Sequence, residues 1–128
     1  ELAQAEMVVV ATPVPLVAEM VARLRTVVSP DAVITDAAST KAGILRAVQA
    51  PSADGSRVAE FVGSHPMAGS HRRGPLASDP DLFQGRTCVV VRGSASDRSR
   101  DRVCAFWQAI GMKVEEMSAE EHDERVAR

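Results

Sequence analysis

The sequence predicts an α/β fold with a mostly parallel sheet and flanking helices, on three observations. Short continuous apolar runs rich in β-branched residues, such as 7–11 and 32–35, are typical of strands buried on both faces of a sheet. Stretches with apolar residues at helical spacing follow these runs. Strand and helix therefore alternate in short steps, which favours right-handed crossovers within one parallel sheet. A chain of 128 residues has the size of a single domain.

Three strands are expected in the first half of the chain, at 7–11, 32–35 and 58–62. A helix is predicted after the first strand because Thr12 is a good N-cap and Pro13 suits the first helical position. Residues 29–31, Ser-Pro-Asp, end that helix. Ser39 or Thr40 is expected to cap the second helix.

Two more strands are expected in the second half, at 87–91 and at 112–117, the latter an edge strand because it carries adjacent glutamates. Before them, residues 63–85 lack clear periodicity, and so long a stretch tends to be functional. Ser94 or Ser96 is predicted to cap a helix that ends at Gly111. Residues 118–121, Ser-Ala-Glu-Glu, form a capping box that starts a final helix.

Composition and charge exclude several classes of function. Apolar residues make up 45% of the chain, so a folded core is expected. Fifteen Lys and Arg against seventeen Asp and Glu leave no basic excess for a phosphate backbone. With one Trp and no Tyr, an aromatic platform for bases is missing as well, so no nucleic-acid partner is expected. The apolar runs are too short to cross a membrane and no secretory signal opens the chain, so a cytoplasmic protein without membrane contact is expected.

Cysteine and histidine spacing does not favour a metal site or a disulfide framework. Cys88 and Cys104 lie in apolar periodic segments, which predicts buried free thiols. His65, His71 and His122 do not form a recognised ligand spacing, so no metal is expected.

Polar residues follow the first three predicted strands, at Thr12, Ser39 and His65. The carboxyl ends of neighbouring parallel strands meet at one edge of a sheet, where ligands bind, so we expect these side chains to face one crevice. In particular, the strands ending at Thr35 and Val62 are expected to be neighbours, which would bring Ser39 and His65 together. An imidazole can accept a proton at neutral pH. The alternatives are that His65 is an ordinary loop histidine and that Thr12 and Ser39 only cap helices.

Residues 63–70, Gly-Ser-His-Pro-Met-Ala-Gly-Ser, resemble the signature of prephenate and arogenate dehydrogenases. Weaker patterns of the same family follow in the right order, at 10–14, 35–41, 81–85 and 117–123. One departure is Ala38, where the family often has glycine before the serine, and it predicts an ordinary turn without positive φ.

The resemblance implies a Rossmann-like sheet that is incomplete. No Gly-x-Gly-x-x-Gly loop is present, so the first βαβ half of a dinucleotide-binding domain is expected to be absent. Residues 1–117 would then be the C-terminal part of that domain. Residues 118–128 would begin the helix that leads to an absent helical dimerisation domain.

The activity that the resemblance implies is NAD- or NADP-dependent oxidative decarboxylation of prephenate or arogenate in tyrosine biosynthesis, by a homodimer. His65 would accept the proton of the substrate hydroxyl as hydride leaves for the nicotinamide. Ser39 would help to position that hydroxyl and the histidine.

Further site residues are implied by the same resemblance. The cofactor would lie along the turn formed by Thr12, Pro13 and Val14. His122 would lie near the mouth of the site and help to gate it. Ser70 and His71 would lie on the substrate side, and His71 replaces an acidic residue of many members, which leaves prephenate and arogenate both open.

Two alternatives to this enzyme remain. One is a non-catalytic fragment that only binds or dimerises. The other is another Rossmann-type dehydrogenase, such as a β-hydroxyacid enzyme, which the stretch 65–69 argues against. The residues leave open the choice between NAD and NADP, and feedback by tyrosine.

Overall fold

Strands and helices alternate along the chain in the computed structural model, which describes residues 1–49, 54–69 and 75–128. The strands are β1 (Met7–Val10), β2 (Val33–Asp36), β3 (Glu60–Pro66), β4 (Thr87–Val91) and β5 (Lys113–Glu116). The α-helices are α1 (Val14–Leu24), α2 (Ala42–Val48), α3 (Asp97–Ala109) and α4 (Ala119–Val126). Short 3-10 turns occupy Leu2–Gln4 and Pro75–Ala77.

The five strands form one sheet in the order β1-β2-β3-β4-β5. The pairs β1/β2, β2/β3 and β4/β5 are parallel, and β3/β4 is antiparallel. The prediction of a mostly parallel α/β sheet with flanking helices is therefore confirmed. Strand β5 lies at one edge, as its glutamates predicted, and β1 lies at the other.

The third strand is longer than the sequence predicted. It continues through Gly63, Ser64, His65 and Pro66, which pair in antiparallel register with residues 91 to 88 of β4. Glycine and proline disfavour strands, so local propensity ends the strand at Val62, but pairing with β4 extends it. His65 therefore belongs to strand β3, and the prediction that it lies in the loop after that strand was wrong.

The first two helices are capped differently from the prediction. Pro13, not Thr12, is the N-cap of α1, and no side chain caps it. The N-cap of α2 is Lys41, and neither Ser39 nor Thr40 caps that helix. The caps of the later helices are confirmed for Ser96, whose Oγ accepts from the Ser99 amide, and for Ser118, whose Oγ accepts from the Glu121 amide.

Helices cover both faces of the sheet. On one face α1 buries Val17 and Val21 completely against Ile34 and Phe61. On the other, α3 packs Val103 and Trp107 onto the sheet. Strand β2 is buried along its whole length, as the apolar run predicted. Each large aliphatic side chain buried in this way contributes about 1.5–3 kcal/mol.

Both cysteines are free thiols, Cys88 buried and Cys104 half-buried. Burial raises the pKa of Cys88 to about 12, so this thiol is inert. Among the helices that the structure describes, none is both long enough and apolar enough to cross a bilayer.

Candidate functional site

The polar residues predicted to face one crevice lie at the carboxyl edge of β1, β2 and β3. Thr12 follows β1 and Ser39 follows β2, while His65 is the penultimate residue of β3. These strands are parallel neighbours, so Ser39 and His65 lie at the same edge of the sheet. Ser39 is exposed and His65 is half-buried.

His65 is the first member of a hydrogen-bonded chain of three side chains. Its Nδ1 lies 2.9 Å from Nε2 of His122, and Nδ1 of His122 lies 2.7 Å from Oδ1 of Asp123. The two imidazole rings meet edge to face, with centroids 5.1 Å apart. His122 is only 1% exposed, although four of the five residues at 120–124 are charged. Helix α4 thus turns His122 towards β3 and Asp123 towards the start of α2.

Asp123 also caps helix α2. Its Oδ1 accepts from the backbone amide of Lys41 at 2.8 Å, and its Oδ2 accepts from that of Ala42 at 2.9 Å. Burial alone would raise the pKa of Asp123, but the hydrogen bonds that it accepts bring that pKa below the ordinary 3.8. Asp123 is therefore a carboxylate that joins the start of α2 to His122.

A buried ion pair lies next to this chain. Lys41 Nζ contacts Asp36 Oδ2, and both side chains are completely buried. Asp36 also accepts from the backbone amides of Ala38, at 3.1 Å, and Ser64, at 3.0 Å. Burial raises the pKa of Asp36 and lowers that of Lys41, while their mutual attraction opposes both changes. The ion pair fixes the β2–α2 turn that carries Ser39.

Ser64 links β3 to β2 and α3. Its hydroxyl donates to the backbone oxygen of Asp36 at 2.5 Å and accepts from Trp107 Nε1 at 3.0 Å. Thr35 Oγ1 lies 2.7 Å from the hydroxyl oxygen of Ser64. Because the Ser64 hydroxyl already donates its hydrogen to Asp36, Thr35 is the donor in this contact. This buried network holds the strand that presents His65 in one register.

The environment of His65 keeps its ring neutral. Burial is the largest cause that lowers its pKa from 6.5 to about 4. Positive charge at His122 or Lys41 lowers it further, and the carboxylate of Asp123 opposes the change. A neutral imidazole at this edge can accept a proton at physiological pH.

Thr12 carries a buried hydroxyl that lacks a partner. Within residues 1–49, 54–69 and 75–128, its Oγ1 forms no hydrogen bond although it is inaccessible to water. A buried polar atom in this state costs about 1–3 kcal/mol unless something pairs with it. The turn after β1 therefore fits a ligand with a hydrogen-bonding group, such as a dinucleotide cofactor.

Two of the predicted site residues, Ser70 and His71, lie outside the residues that the structure describes. Ser39 forms no side-chain hydrogen bond with any residue that the structure describes. Over the same part of the chain, no group of three or more His, Cys, Asp or Glu residues is arranged to hold a metal ion.

Sequence reasoning gave no role to Asp123, Lys41, Asp36 or Ser64. Asp123 reaches Lys41 across 82 positions of sequence, and no local pattern signals such a contact. The only available signal was that all four lie inside the family-like segments at 35–41, 63–70 and 117–123.

Comparisons with known proteins identify the family of this chain. Residues 1–116 match the family model described as prephenate dehydrogenase, nucleotide-binding domain. Cyclohexadienyl dehydrogenase of Zymomonas mobilis is 28% identical over 125 residues, which cover 97% of this chain and 41% of that protein. Prephenate dehydrogenase of Lactococcus lactis is 31% identical over 121 residues, which cover 94% of this chain and 32% of that protein.

A solved structure is similar over most of the chain. Prephenate dehydrogenase from Aquifex aeolicus, in complex with hydroxyphenyl propionate and NAD+, superposes with a TM-score of 0.77 at 30% identity. The match covers 92% of this chain and 40% of that one. The chain thus spans 32% to 41% of the length of these curated relatives. Since the family model matches residues 1–116 of 128, the chain belongs to the family of prephenate dehydrogenase nucleotide-binding domains.

Proposed function

We propose that this chain supplies the part of an NAD(P)-dependent dehydrogenase that binds the nicotinamide end of the cofactor and accepts the substrate proton. The substrate would be prephenate or arogenate, and the reaction an oxidative decarboxylation in tyrosine biosynthesis. The observation that carries the proposal is the half-buried His65, held by His122 at the carboxyl edge of the sheet. Because the chain covers 40% of the NAD+-bound Aquifex aeolicus enzyme, it would act together with further sequence, and the complete protein would be a homodimer.

His65 would act as the proton acceptor. Its Nδ1 is engaged by His122, whereas Nε2 has no hydrogen-bond partner among the described residues. When bound, the nicotinamide supplies the hydride acceptor. As the hydroxyl-bearing carbon gives up its hydride, Nε2 of His65 takes the hydroxyl proton. The ring carboxylate leaves as carbon dioxide, its bond electrons complete the aromatic ring, and the proton returns to the oxygen of the phenolic product.

Thr12, Pro13 and Val14 would lie along the cofactor. The unpartnered Oγ1 of Thr12 supports this, because a hydroxyl, amide or phosphate of a dinucleotide would satisfy it. The proposal extends to either NAD or NADP, and the NAD+ in the Aquifex aeolicus complex makes NAD the first cofactor to test.

The other predicted residues would act around the substrate. Ser39 would contact the substrate hydroxyl from the turn after β2, and Ser70 with His71 would lie on the side of the substrate's side chain. His122, which the resemblance puts at the mouth of the site, is buried against His65. That burial favours a role in holding His65 over one in gating.

The proposal is tested with the protein that carries this chain, NAD+ or NADP+, and prephenate or arogenate. Formation of the reduced nicotinamide measures the reaction. His65→Asn is expected to lower kcat by about 10²–10⁴-fold, since general-base catalysis contributes that much. The Kd of the cofactor should change little, because His65 does not hold the dinucleotide. Ser39→Ala should cost less, because Ser39 orients the substrate and transfers no proton.

Gln108→Ala, on the exposed side of α3, is the control and should leave kcat unchanged. Near-normal turnover by His65→Asn would refute the role of His65. Absence of turnover with all four combinations of cofactor and substrate would refute the activity itself.

A further inference from the structure

We propose that Asp123, acting through His122, fixes the tautomer of His65 so that Nε2 is left unprotonated and facing the substrate. Asp123 is then a positioning residue of the proposed reaction, and only the kinetic part of this inference rests on the proposed function. The hydrogen-bonded chain His65–His122–Asp123 carries it.

The first step follows from the chemistry of the carboxylate. Asp123 is ionised and can only accept hydrogen bonds, and it accepts three. The contact of 2.7 Å between Asp123 Oδ1 and His122 Nδ1 therefore requires a hydrogen on that ring nitrogen.

The second step follows from the number of hydrogens on a neutral imidazole. A neutral ring has one N–H, and His122 has placed it on Nδ1, so its Nε2 is an acceptor. The nitrogen that faces it, Nδ1 of His65, must donate across the 2.9 Å contact. His65 then has no hydrogen on Nε2, which makes that nitrogen the proton acceptor.

The third step concerns rigidity. His122 is 1% exposed, and Asp123 is held by the amides of Lys41 and Ala42 at the start of α2. The same carboxylate thus fixes the base on β3 and the end of the turn that carries Ser39. One side chain on α4 sets the relative position of two elements of the proposed site.

Replacement by alanine removes the acceptor of His122 Nδ1 together with both caps of α2. Asparagine would not separate these roles, because it has one acceptor oxygen where Asp123 uses two, and Oδ1 of Asp123 serves both Lys41 and His122. In Asp123→Ala no carboxylate holds the hydrogen of His122 on Nδ1. Molecules with that hydrogen on Nε2 would donate to Nδ1 of His65, whose own hydrogen would then lie on Nε2. Loss of the caps lowers stability by about 0.5–2 kcal/mol but does not by itself move the tautomer.

The test combines ¹⁵N NMR of the histidine rings with kinetics, in the protein that carries this chain. Protonated and unprotonated ring nitrogens have well-separated ¹⁵N shifts, so the tautomer is read directly. The wild type should show hydrogen only on Nδ1 of His65, and Asp123→Ala should show it on Nε2 in a measurable fraction of the molecules. The matched control is Glu124→Gln, which removes an exposed carboxylate of α4 paired with Arg128 and should leave the tautomer unchanged.

In the kinetic arm, Asp123→Ala should lower kcat in proportion to the fraction of His65 that carries hydrogen on Nε2, because only the other tautomer accepts the substrate proton. The Kd of NAD+ should stay unchanged, and so should kcat in Glu124→Gln. A residue that only capped α2 would leave the tautomer of the folded Ala variant as in the wild type.

Two results overturn the inference. One is hydrogen on Nε2 of His65 in the wild type, a measurement that does not depend on whether any variant folds. The other is a folded Ala variant in which all of His65 keeps its hydrogen on Nδ1. If the tautomer shifts as expected but the wild type oxidises neither prephenate nor arogenate, the inference about Asp123 stands and the proposed function fails.

Discussion

The environment of His65 differs from that of a surface histidine. Its pKa falls from 6.5 to about 4, chiefly through burial. Positive charge at His122 and Lys41 lowers the pKa of His65 further, and the carboxylate of Asp123 raises it. A histidine kept neutral in this way is available as a base. It is also a group that must charge when the protein unfolds in acid.

The shift predicts how His65 affects stability with pH. Between about pH 6.5 and about pH 4 the unfolded chain binds a proton at this residue and the folded chain does not. The free energy of unfolding therefore falls as pH decreases through this window. In His65→Asn this contribution is absent, so the advantage of the wild type over the variant should shrink on acidification and be constant above about pH 6.5.

Urea denaturation of both proteins between about pH 8 and about pH 4 measures this difference. Effects of Asp123 and the other carboxylates are common to both proteins and cancel. A difference in unfolding free energy that stays constant or widens towards low pH would contradict the pKa of His65.

At this scale the sequence assigned His65 to the correct edge of the sheet but gave no sign of its partners His122 and Asp123, and its role as proton acceptor stays a prediction. His65, Ser39 and Thr12 could be assigned to one edge because each follows a strand with a clear apolar pattern. Asp123 could not be recognised as the cap of α2, because the packing of α4 against α2 decides that contact. Ser39 and Thr40 have good N-cap side chains, but the carboxylate of Asp123 takes their place.

Among the elements, β3 is the one that the sequence described least well. Residues Gly63 to Pro66 have poor strand propensity, and their strand character comes from pairing with β4. Close packing also favours glycine at position 63. A Cβ at this position would lie 3.1 Å from Lys41 Cδ and 3.4 Å from the backbone oxygen of Val91.

Gly63→Ala is therefore expected to destabilise the protein by about 1–3 kcal/mol through overpacking. The side chain of Lys41 cannot move aside easily, since it is completely buried and paired with Asp36. Gly43→Ala in α2 is the matched control: a Cβ there meets nothing within 4 Å. Alanine favours the helix, so this variant should gain about 0.4–1 kcal/mol.

Denaturant unfolding of the two alanine variants measures both effects. If Gly63→Ala proved as stable as wild type, β3 would not approach Lys41 as closely as the structure has it. The effect is expected without any change of backbone conformation, because Gly63 is not among the glycines with positive φ.

Across the whole molecule, alternation of short strands and helices was enough to predict the sheet. Every strand of the sheet was located from its apolar pattern, and the glutamates of β5 identified it as an edge. The antiparallel pairing of β3 with β4 was not predicted, because no tight turn or helix connects those strands in the sequence.

The two edges of the sheet differ in a way that predicts association. Strand β5 presents Lys113, Glu115 and Glu116, and charged side chains protect an edge strand from pairing with another chain. Strand β1 is Met-Val-Val-Val, carries no charge, and has Val9 36% exposed. An apolar, uncharged edge is a template for a further strand.

The 128-residue chain by itself is therefore expected to form dimers or larger species through β1. Light scattering over a range of concentrations measures this. Val9→Lys places a charge on the β1 edge strand. It should shift the chain towards monomer, because a lysine on an edge strand opposes pairing with another chain. Val126→Lys on α4, where Val126 is 41% exposed, removes an exposed valine away from the edge and should leave association unchanged. A wild-type chain that stays monomeric at high concentration and unfolds cooperatively would show that the β1 edge is protected by some other means.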